Sequence, residues 1–379
     1  MRLAVLKERD PQETRVAAVP DSVKKLIGLG LEVAIESAAG ERAGHVDQAY
    51  RDAGATVEAD AAAALKGAGI VFAVQAPDEE ITRLIPEGAL LVATVGALTR
   101  PELVERFAQA KIDACAMELL PRITRAQTMD VLSSQANLAG YRAVIEAAEA
   151  FPRSFPMMMT AAGTVAPARI FIVGAGVAGL QAIATARRLG AIVSATDVRP
   201  AAKEEIRSLG ASFIGVEDEE SKQQTGAYAK EMSDEFRRKQ AELVAETVGK
   251  SDIVLCTALV LGRKAPVIVS EDAVKRMKPG SVIVDIAADS GGNCAMTQPG
   301  ERIVTDNGVT ILGYRNWPSR IGIAASGLYA RNLFTFLSTF WDKDAGRPKL
   351  PDEDDIVKGV LLTRGGSVVH PNFKPKEAA

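Results

Sequence analysis

Short apolar runs alternate with amphipathic helical patterns along most of the chain. In the first third, strand-like runs cover Leu3–Glu8, Leu31–Ser37, Gly69–Ala76, Ala89–Gly96 and Ile112–Glu118. Stretches with apolar residues at helical spacing separate these runs, and a longer helical pattern covers about Ser134–Phe151. An alternation of this kind predicts α/β units with parallel sheets.

A second array of the same kind begins at Ala168. Its runs ARIFIVGAG, AIVSATD, SDIVLCTA and SVIVDIA are nearly continuous in apolar residues, as is typical of strands that are covered on both faces. After Pro318 the segment ASGLYARNLFTFLSTFW predicts an amphipathic helix. Further on, IVKGVLLTRGGSVV predicts two strands around a Gly-Gly turn.

The predicted fold class is α/β, with two doubly wound Rossmann-like domains joined by two long helices. A chain of 379 residues is long enough for two domains of ~100–200 residues each. We predict that residues 1–135 and 342–379 form the N-terminal domain. Residues 136–341 are then expected to form the second domain together with the linking helices.

Charge and hydropathy exclude two classes of partner. The chain carries 45 Lys and Arg against 48 Asp and Glu, a net charge of −3, so it lacks the basic surplus of a nucleic-acid-binding protein. No run approaches the ~20 apolar residues that span a bilayer. Charged residues also stand at positions 7–10, where a signal peptide would be apolar. We therefore expect no nucleic-acid partner, no direct membrane insertion and no export.

Cysteine and histidine are too few and too scattered for a metal site. Cys115, Cys256 and Cys294 are far apart and form no CxxC pair, which favours reduced, buried thiols. His45 and His370 are the only histidines, so any chemistry must proceed mostly without imidazole.

A glycine-rich motif marks a candidate dinucleotide site. Strand Ile170–Val173 leads into Gly174-Ala175-Gly176-Val177-Ala178-Gly179, and a helical pattern follows directly. In this GxGxxG pattern the first glycine permits a tight turn, the second allows a pyrophosphate close to the backbone, and the third lets helix and strand pack. The alternative is a glycine-rich turn that serves packing alone.

An acidic residue follows at the distance that the motif requires. The next predicted strand ends at Asp197, whose carboxylate is suited to the adenosine ribose hydroxyls and repels a 2′-phosphate, so we expect NAD rather than NADP. Arg199 leaves that preference open, because a guanidinium could bind the phosphate. The candidate cofactor-binding residues in the second domain are Gly174, Gly176, Val177, Ala178, Gly179, Asp197, Val198, Arg199 and Ala258.

The start of the chain resembles a known pair of families. KERDPQETRVAAVP, with Lys7, Glu8, Arg15 and Pro20, is similar to the start of alanine dehydrogenases and of the NAD(H)-binding component of proton-translocating nicotinamide nucleotide transhydrogenase, two families with one fold. The resemblance places the lysine and histidine of alanine dehydrogenases at Gln75 and Gly96, which have no titrating proton to offer.

A second segment favours the transhydrogenase component. Residues Met117–Val144 resemble its loop, whose Arg, Gln, Asp and Ser match Arg122, Gln127, Asp130 and Ser133. The segments SFPMMMTAAGT, GAYAKEM, MKPGSVIVDIA and GGNC match as well. From the residues alone, PRITRAQTMD is better interpreted as a polar connection that caps the following helix.

The resemblance implies roles for these residues. Gln127 is expected to reach a nicotinamide or ribose on a partner chain, Ser133 to bond a carboxamide, and Asp130 to orient Arg122. Tyr228 and its neighbours Gly226–Met232 are expected to form a mobile lid over bound NAD(H); composition alone favours a solvated loop there.

The resemblance also implies an activity and an assembly. Hydride would pass between NADH on this chain and NADP⁺ on a partner component, since only one dinucleotide motif is present. A separate membrane-spanning subunit would translocate protons, with this chain as a homodimer on the cytoplasmic face of the cell membrane. Two alternatives stay open: an alanine dehydrogenase-like amino-acid dehydrogenase, and a non-catalytic NAD-binding module.

Overall fold

The structure, a computed structural model, describes residues 1–216 and 233–374. The chain divides into two compact units, one formed by Met1–Gln135 with Pro318–Ala379 and the other by Ala136–Trp317. Each unit is built around its own mainly parallel sheet. The predicted class, α/β with doubly wound Rossmann-like sheets, is confirmed.

The first unit contains a six-stranded parallel sheet. In spatial order its strands are Thr56–Glu58, Glu32–Glu36, Arg2–Val5, Ala68–Gln75, Leu90–Thr94 and Asp113–Ala116. Its helices are Pro20–Gly28, Asp47–Asp52, Ala61–Leu65, Glu79–Leu84, Glu102–Gln109, Gly322–Thr339 and Asp355–Val360. Apolar side chains alternate between the two faces: Leu3 and Val5 belong to one buried cluster, Ala4 and Leu6 to another. The sheet is therefore covered on both sides.

The second unit repeats this plan with seven strands. Their spatial order is Ser212–Phe213, Ile192–Thr196, Arg169–Val173, Ile253–Cys256, Val282–Asp285, Thr310–Leu312 and Arg302–Val304, the last being antiparallel. The helices are Val177–Arg188, Ala202–Ser208, Asp234–Lys250 and Glu271–Lys275. The order reverses between Arg169–Val173 and Ile253–Cys256, which is the place where ligands bind in doubly wound sheets.

Smaller elements complete the chain. Two-stranded pairs join Met158–Thr160 with Gly163–Val165, Trp341–Asp342 with Arg347–Pro348, and Thr363–Arg364 with Ser367–Val368. Short 3-10 helices occur at Glu41–Ala43, Met117–Leu119, Thr124–Met129, Ala288–Ser290 and Trp317–Ile321.

The division between the units differs from the predicted domain boundaries. Helix Val131–Ala150 contains the first division, as expected of a linking helix. Helix Gly322–Thr339 was predicted to belong to the second domain, but it lies in the first unit. The reason is its apolar face, because Tyr329, Leu333 and Phe336 are buried in the same cluster as Leu3 of the first sheet.

One predicted strand is a helix. Part of the run IVKGVL forms helix Asp355–Val360, whose N-cap is Asp354. The Asp354 carboxylate accepts the Ile356 N–H at 2.8 Å, and this local bond satisfies one of the free donors of a helix start. The hairpin predicted around the Gly-Gly turn is present at Thr363–Arg364 and Ser367–Val368.

None of the helices in residues 1–216 and 233–374 is both long and apolar enough to cross a membrane.

Candidate functional site

The glycine-rich turn has the geometry that close backbone packing demands. Gly174 has φ +94°, and a Cβ there would lie 3.0 Å from the Ala258 nitrogen. A Cβ at Gly179 would lie 2.0 Å from the Gly174 oxygen. At Gly176, in contrast, a Cβ would find no described atom within 4 Å. The first and third glycines therefore serve packing, while the second leaves open space at the backbone.

The helix after the turn presents an open N-terminus. Its N-cap is Gly176, and no side chain in the described part of the chain caps it. The first-turn N–H groups of Val177, Ala178 and Gly179 have no partners within the helix, and Val177 is 41% exposed. No acidic residue stands in the first turn, and Arg187 and Arg188 lie in the last. An anion such as a pyrophosphate fits this helix end.

Asp197 lies beside the turn at the end of strand Ile192–Thr196. One carboxylate oxygen accepts the Ala175 N–H at 2.7 Å, and the other accepts the Arg199 N–H at 2.8 Å. The Arg199 guanidinium bonds Asp197 at 3.1 Å and the Ala175 oxygen at 2.9 Å. Arg199 is thus held by the carboxylate, which makes it a poor receptor for a 2′-phosphate. Val198, between them, is 76% exposed.

Two contacts behind the turn have no signal in the local sequence. The Thr257 hydroxyl donates to the Gly174 oxygen at 2.8 Å. The buried amide of Asn293 accepts the Ala258 N–H at 2.9 Å and donates to the Ala258 oxygen at 2.9 Å. Both bonds join residues far apart in sequence, so periodicity could not reveal them; only the conspicuous GGNC segment pointed toward Asn293.

Gly140 is a third residue that the sequence analysis missed. It lies within helix Val131–Ala150, and a Cβ there would meet the Ala178 oxygen at 2.0 Å. Glycine in a helix interior costs about 0.5–1 kcal/mol relative to alanine, so its presence at this point was the available signal. Gly140 allows this helix to touch the start of the dinucleotide helix.

The candidate loop residues Arg122, Gln127, Asp130 and Ser133 lie in the first unit, whereas the glycine-rich turn lies in the second. Arg122 and Gln127 are exposed, and Gln127 belongs to the 3-10 helix Thr124–Met129. Asp130 precedes helix Val131–Ala150 and accepts the Ser133 N–H at 2.9 Å and the Ser133 hydroxyl at 2.5 Å. The capping role that the residues alone indicated is therefore present.

The expected contact between Asp130 and Arg122 is not formed. Among the ion pairs of the described residues there is none between them. The reason is local: Asp130 stands three residues before Ser133 and satisfies free helix-start donors there. An exposed ion pair with Arg122 would gain little against that arrangement.

A buried polar network occupies the first unit around Arg15. Its guanidinium donates to both Glu13 oxygens, at 2.8 and 2.6 Å, and to the Gln135 oxygen at 3.0 Å. Gln75 donates to Glu13 at 3.0 Å, and Ser319 donates to it at 2.6 Å. Burial alone would raise the pKa of Glu13, but the hydrogen bonds and charge of Arg15 lower it to about 2. Glu13 is thus an ionised partner that holds Arg15 in place.

Gly96 also stands in a filled environment. Its φ is +74°, and a Cβ there would lie 2.9 Å from the Arg100 guanidinium. The Glu118 carboxylate accepts the N–H groups of Val95, Gly96 and Ala97 at 2.9, 2.6 and 3.1 Å, so this turn is held by three bonds. Burial raises the pKa of Glu118.

Tyr228 and the segment Gly226–Met232 lie outside the described residues. Their expected role as a lid therefore stays a prediction.

Comparisons with known proteins agree with this geometry. The N-terminal domain of the family described as alanine dehydrogenase/PNT matches residues 4–139, and its C-terminal domain matches residues 143–371. An NAD(P) transhydrogenase alpha subunit of Rhodospirillum rubrum is 54% identical over 378 residues, which cover 98% of each chain.

Solved structures show the same relationship. A transhydrogenase from Sinorhizobium meliloti is 47% identical with a TM-score of 0.86, covering 98% of this chain and 100% of that one. An L-alanine dehydrogenase is 25% identical with a TM-score of 0.80, covering 98% of each chain. The chain therefore belongs to the alanine dehydrogenase/PNT family, and within it to the NAD(P) transhydrogenase alpha subunits.

Proposed function

We propose that this chain is the NAD(H)-binding component of a proton-translocating NAD(P)⁺ transhydrogenase and is active only with partner components. The observation that carries the proposal is a combination. The second unit has an open dinucleotide turn with Asp197 beside it, while Gln75 and Gly96 leave the first unit without the proton-transfer groups of a self-sufficient dehydrogenase.

The chemistry matches this pairing. When both nucleotides are bound, hydride passes between the C4 atoms of two nicotinamide rings, and neither carbon exchanges a proton with a base. This chain's residues then have three tasks, which are to bind one nucleotide, to orient it and to exclude water. The open helix start at Gly176 serves binding, and Asp197 favours an unphosphorylated ribose.

An alanine dehydrogenase activity is the weaker candidate. Oxidation of an amine removes a proton as well as a hydride, so it needs a general base. Gln75 is bonded to Glu13 at 3.0 Å and does not titrate, and the space beside Gly96 is occupied by the Arg100 guanidinium. The non-catalytic module is disfavoured by the exposed Gln127 and Arg122, which suit contact with a partner.

We assign the second nucleotide, NADP(H), to a partner component. The residues proposed to face it are Arg122, Gln127, Asp130 and Ser133. The bonds from Asp130 to Ser133 fix the start of the following helix, and this leaves the exposed Gln127 amide free to reach outward. Protons would be translocated by a separate membrane-spanning subunit, with this chain peripheral on the cytoplasmic side.

A homodimer is part of the proposal. The hairpin Met158–Thr160 and Gly163–Val165 is exposed at every position, and Met159 reaches 79% exposure. Apolar side chains this exposed favour a protein interface, and a second copy of the chain is the occupant we propose. Light scattering of the purified chain should give twice the monomer mass, and Met157→Asp combined with Met159→Asp should reduce it to one monomer.

Nucleotide titration tests the assignment of NAD(H). The chain should bind NADH at least ~10-fold more tightly than NADPH, because Asp197 repels the additional phosphate and holds Arg199. Asp197→Asn removes that charge at constant size and should narrow the gap. Equal affinities of the original chain for both nucleotides, measured by fluorescence, would contradict the assignment.

A further inference from the structure

The GGNC segment places a buried amide behind the nucleotide site. Asn293 is completely buried. Its amide oxygen accepts the Ala258 N–H at 2.9 Å, and its amide nitrogen donates to the oxygens of Ala258 and Pro266, each at 2.9 Å. Because both ends of the amide are used, the side chain has one satisfied orientation.

The segment that carries Asn293 is itself firmly anchored. The Asp285 carboxylate accepts the N–H groups of Ala287 and Cys294 at 3.0 Å and the Thr297 hydroxyl at 2.7 Å. Gly292 has φ +77°, and a Cβ there would lie 2.8 Å from Asp285. Glycine is therefore required for the chain to pass so close to this carboxylate, and Asn293 projects from a rigid base.

Asn293 closes the base of a loop that adjoins the glycine-rich turn. Its bonds tie Ala258 and Pro266, the first and last residues of the 258–266 loop. This loop exposes the apolar side chains of Leu259, Val260 and Leu261, each about half exposed. Ala258 also lies against Gly174, where a Cβ would be 3.0 Å from the Ala258 nitrogen. A continuous chain of contacts thus runs from Asn293 through Ala258 to the turn.

We propose that Asn293 is a positioning residue of the nicotinamide dinucleotide site. Its amide holds the Ala258 peptide against Gly174 and keeps the 258–266 loop in a single arrangement at the carboxyl edge of the sheet, ready to meet the nucleotide. This inference rests on the proposed binding of NAD(H) and adds a residue to it that does not touch the nucleotide.

Asn307 offers a matched control in the same unit. Its amide is also bonded to backbone oxygens, those of Val274 at 3.1 Å and Met277 at 3.2 Å, at the end of helix Glu271–Lys275. Its contacts do not include the glycine-rich turn or the 258–266 loop. Loss of either amide removes comparable bonds, but only Asn293 is placed to affect the nucleotide.

The test compares Asn293→Asp with Asn307→Asp in the full chain. Aspartate keeps the size of asparagine but cannot donate, and it sets a charge against backbone oxygens. Because two donated bonds are lost, NADH affinity of Asn293→Asp should fall by roughly 10-fold or more in a fluorescence titration. The emission of bound NADH at saturation should change too. Asn307→Asp should lose thermal stability while both nucleotide readouts stay within twofold of the original chain.

Each outcome decides a different statement. If the original chain binds NADH and Asn293→Asp binds it equally well, or if both variants weaken it alike, the positioning role is wrong while the proposed function stands. If the original chain does not bind NADH, the proposed function itself fails. Should Asn293→Asp not fold, Asn293→Ser takes its place; if that variant does not fold either while Asn307→Asp does, Asn293 is structural and the inference is overturned.

Discussion

Glu8 is a buried acid that the proposed chemistry does not use. Its carboxyl accepts the Val74 N–H at 2.6 Å and the Gln75 N–H at 3.3 Å. Burial raises its pKa to about 8, with the Glu13 charge adding to the rise and the Arg15 charge opposing it. The folded chain therefore keeps a proton on Glu8 that the unfolded chain has already released at neutral pH.

This retained proton predicts a pH dependence of stability. Between pH ~4.5 and ~8 the folded state binds more protons than the unfolded state, so the free energy of unfolding should fall as pH rises, by at most ~1.4 kcal/mol per unit. Glu8→Gln should flatten urea-unfolding free energies over that window, and the exposed Glu80→Gln should follow the original curve. Glu13 acts elsewhere, since its contribution is lost only as pH falls from ~4.5 to ~2. An unchanged slope in Glu8→Gln would contradict the burial argument.

Gln127 and Asp130 separate a partner-facing role from a capping role. Asp130 caps helix Val131–Ala150 through Ser133, so Asp130→Ala should lower the free energy of unfolding by about 1 kcal/mol. Gln127 is exposed, so Gln127→Asn should leave stability and NADH affinity nearly unchanged. If its amide positions a partner's nicotinamide, hydride transfer with an NADP(H)-binding component should still fall by up to ~10²-fold. Unchanged transfer in stopped-flow measurements would leave the loop a helix cap alone.

Residues were predictable from sequence where their contacts are local. The glycines of the turn and Asp197 follow a fixed spacing, and the structure brings Asp197 within 2.7 Å of Ala175. Thr257 and Asn293 were not found, because they are joined to Gly174 and Ala258 only by the folded sheet. The expected Asp130–Arg122 bond was wrong because a resemblance gives residue types, whereas the carboxylate takes the donors next to it.

At the scale of elements, two helices meet beside the nucleotide site without side chains between them. Helix Val131–Ala150 approaches the start of helix Val177–Arg188 at Gly140, opposite the Ala178 oxygen. This oxygen is backbone and cannot move aside alone. The contact therefore fixes the position of the dinucleotide helix.

Gly140→Ala should disturb this contact. The new methyl would stand 2.0 Å from the Ala178 oxygen, so the helices must separate. We expect a loss of about 1–3 kcal/mol in the free energy of unfolding, with weaker NADH binding. Gly327→Ala is the control, since Gly327 lies in helix Gly322–Thr339 with no described atom within 4 Å of the new Cβ. It should gain about 0.5–1 kcal/mol. A Gly140→Ala variant as stable as the control would contradict the contact.

Most elements were predictable because their patterns are long and regular. The strands of both sheets and helix Val131–Ala150 lie close to their expected positions. Strand Thr56–Glu58 was missed because it has only three residues and little burial. Helix Asp355–Val360 was mistaken for a strand because its apolar run fits both periods, and the Asp354 cap decides between them.

At the scale of the whole molecule, the chain has two similar sheets but one dinucleotide turn. The second unit carries the GxGxxG turn, and the first carries the Arg15 network in which Glu13 already occupies the guanidinium. Among the residues around Arg15 that the structure describes, Gln75 and Gly96 offer no proton-transfer group. The molecule as a whole is therefore suited to holding one nucleotide for a reaction that another chain completes.

Isotope transfer tests this account most directly. The chain is mixed with an NADP(H)-binding component, NADP⁺ and NADH that carries deuterium at the transferred C4 position, in ordinary water. Direct transfer predicts NADPH that contains the deuterium, and no NADH formation when the chain alone is given NAD⁺ and alanine. NADPH without the label, no transfer at all, or steady alanine-dependent NADH formation would contradict the account.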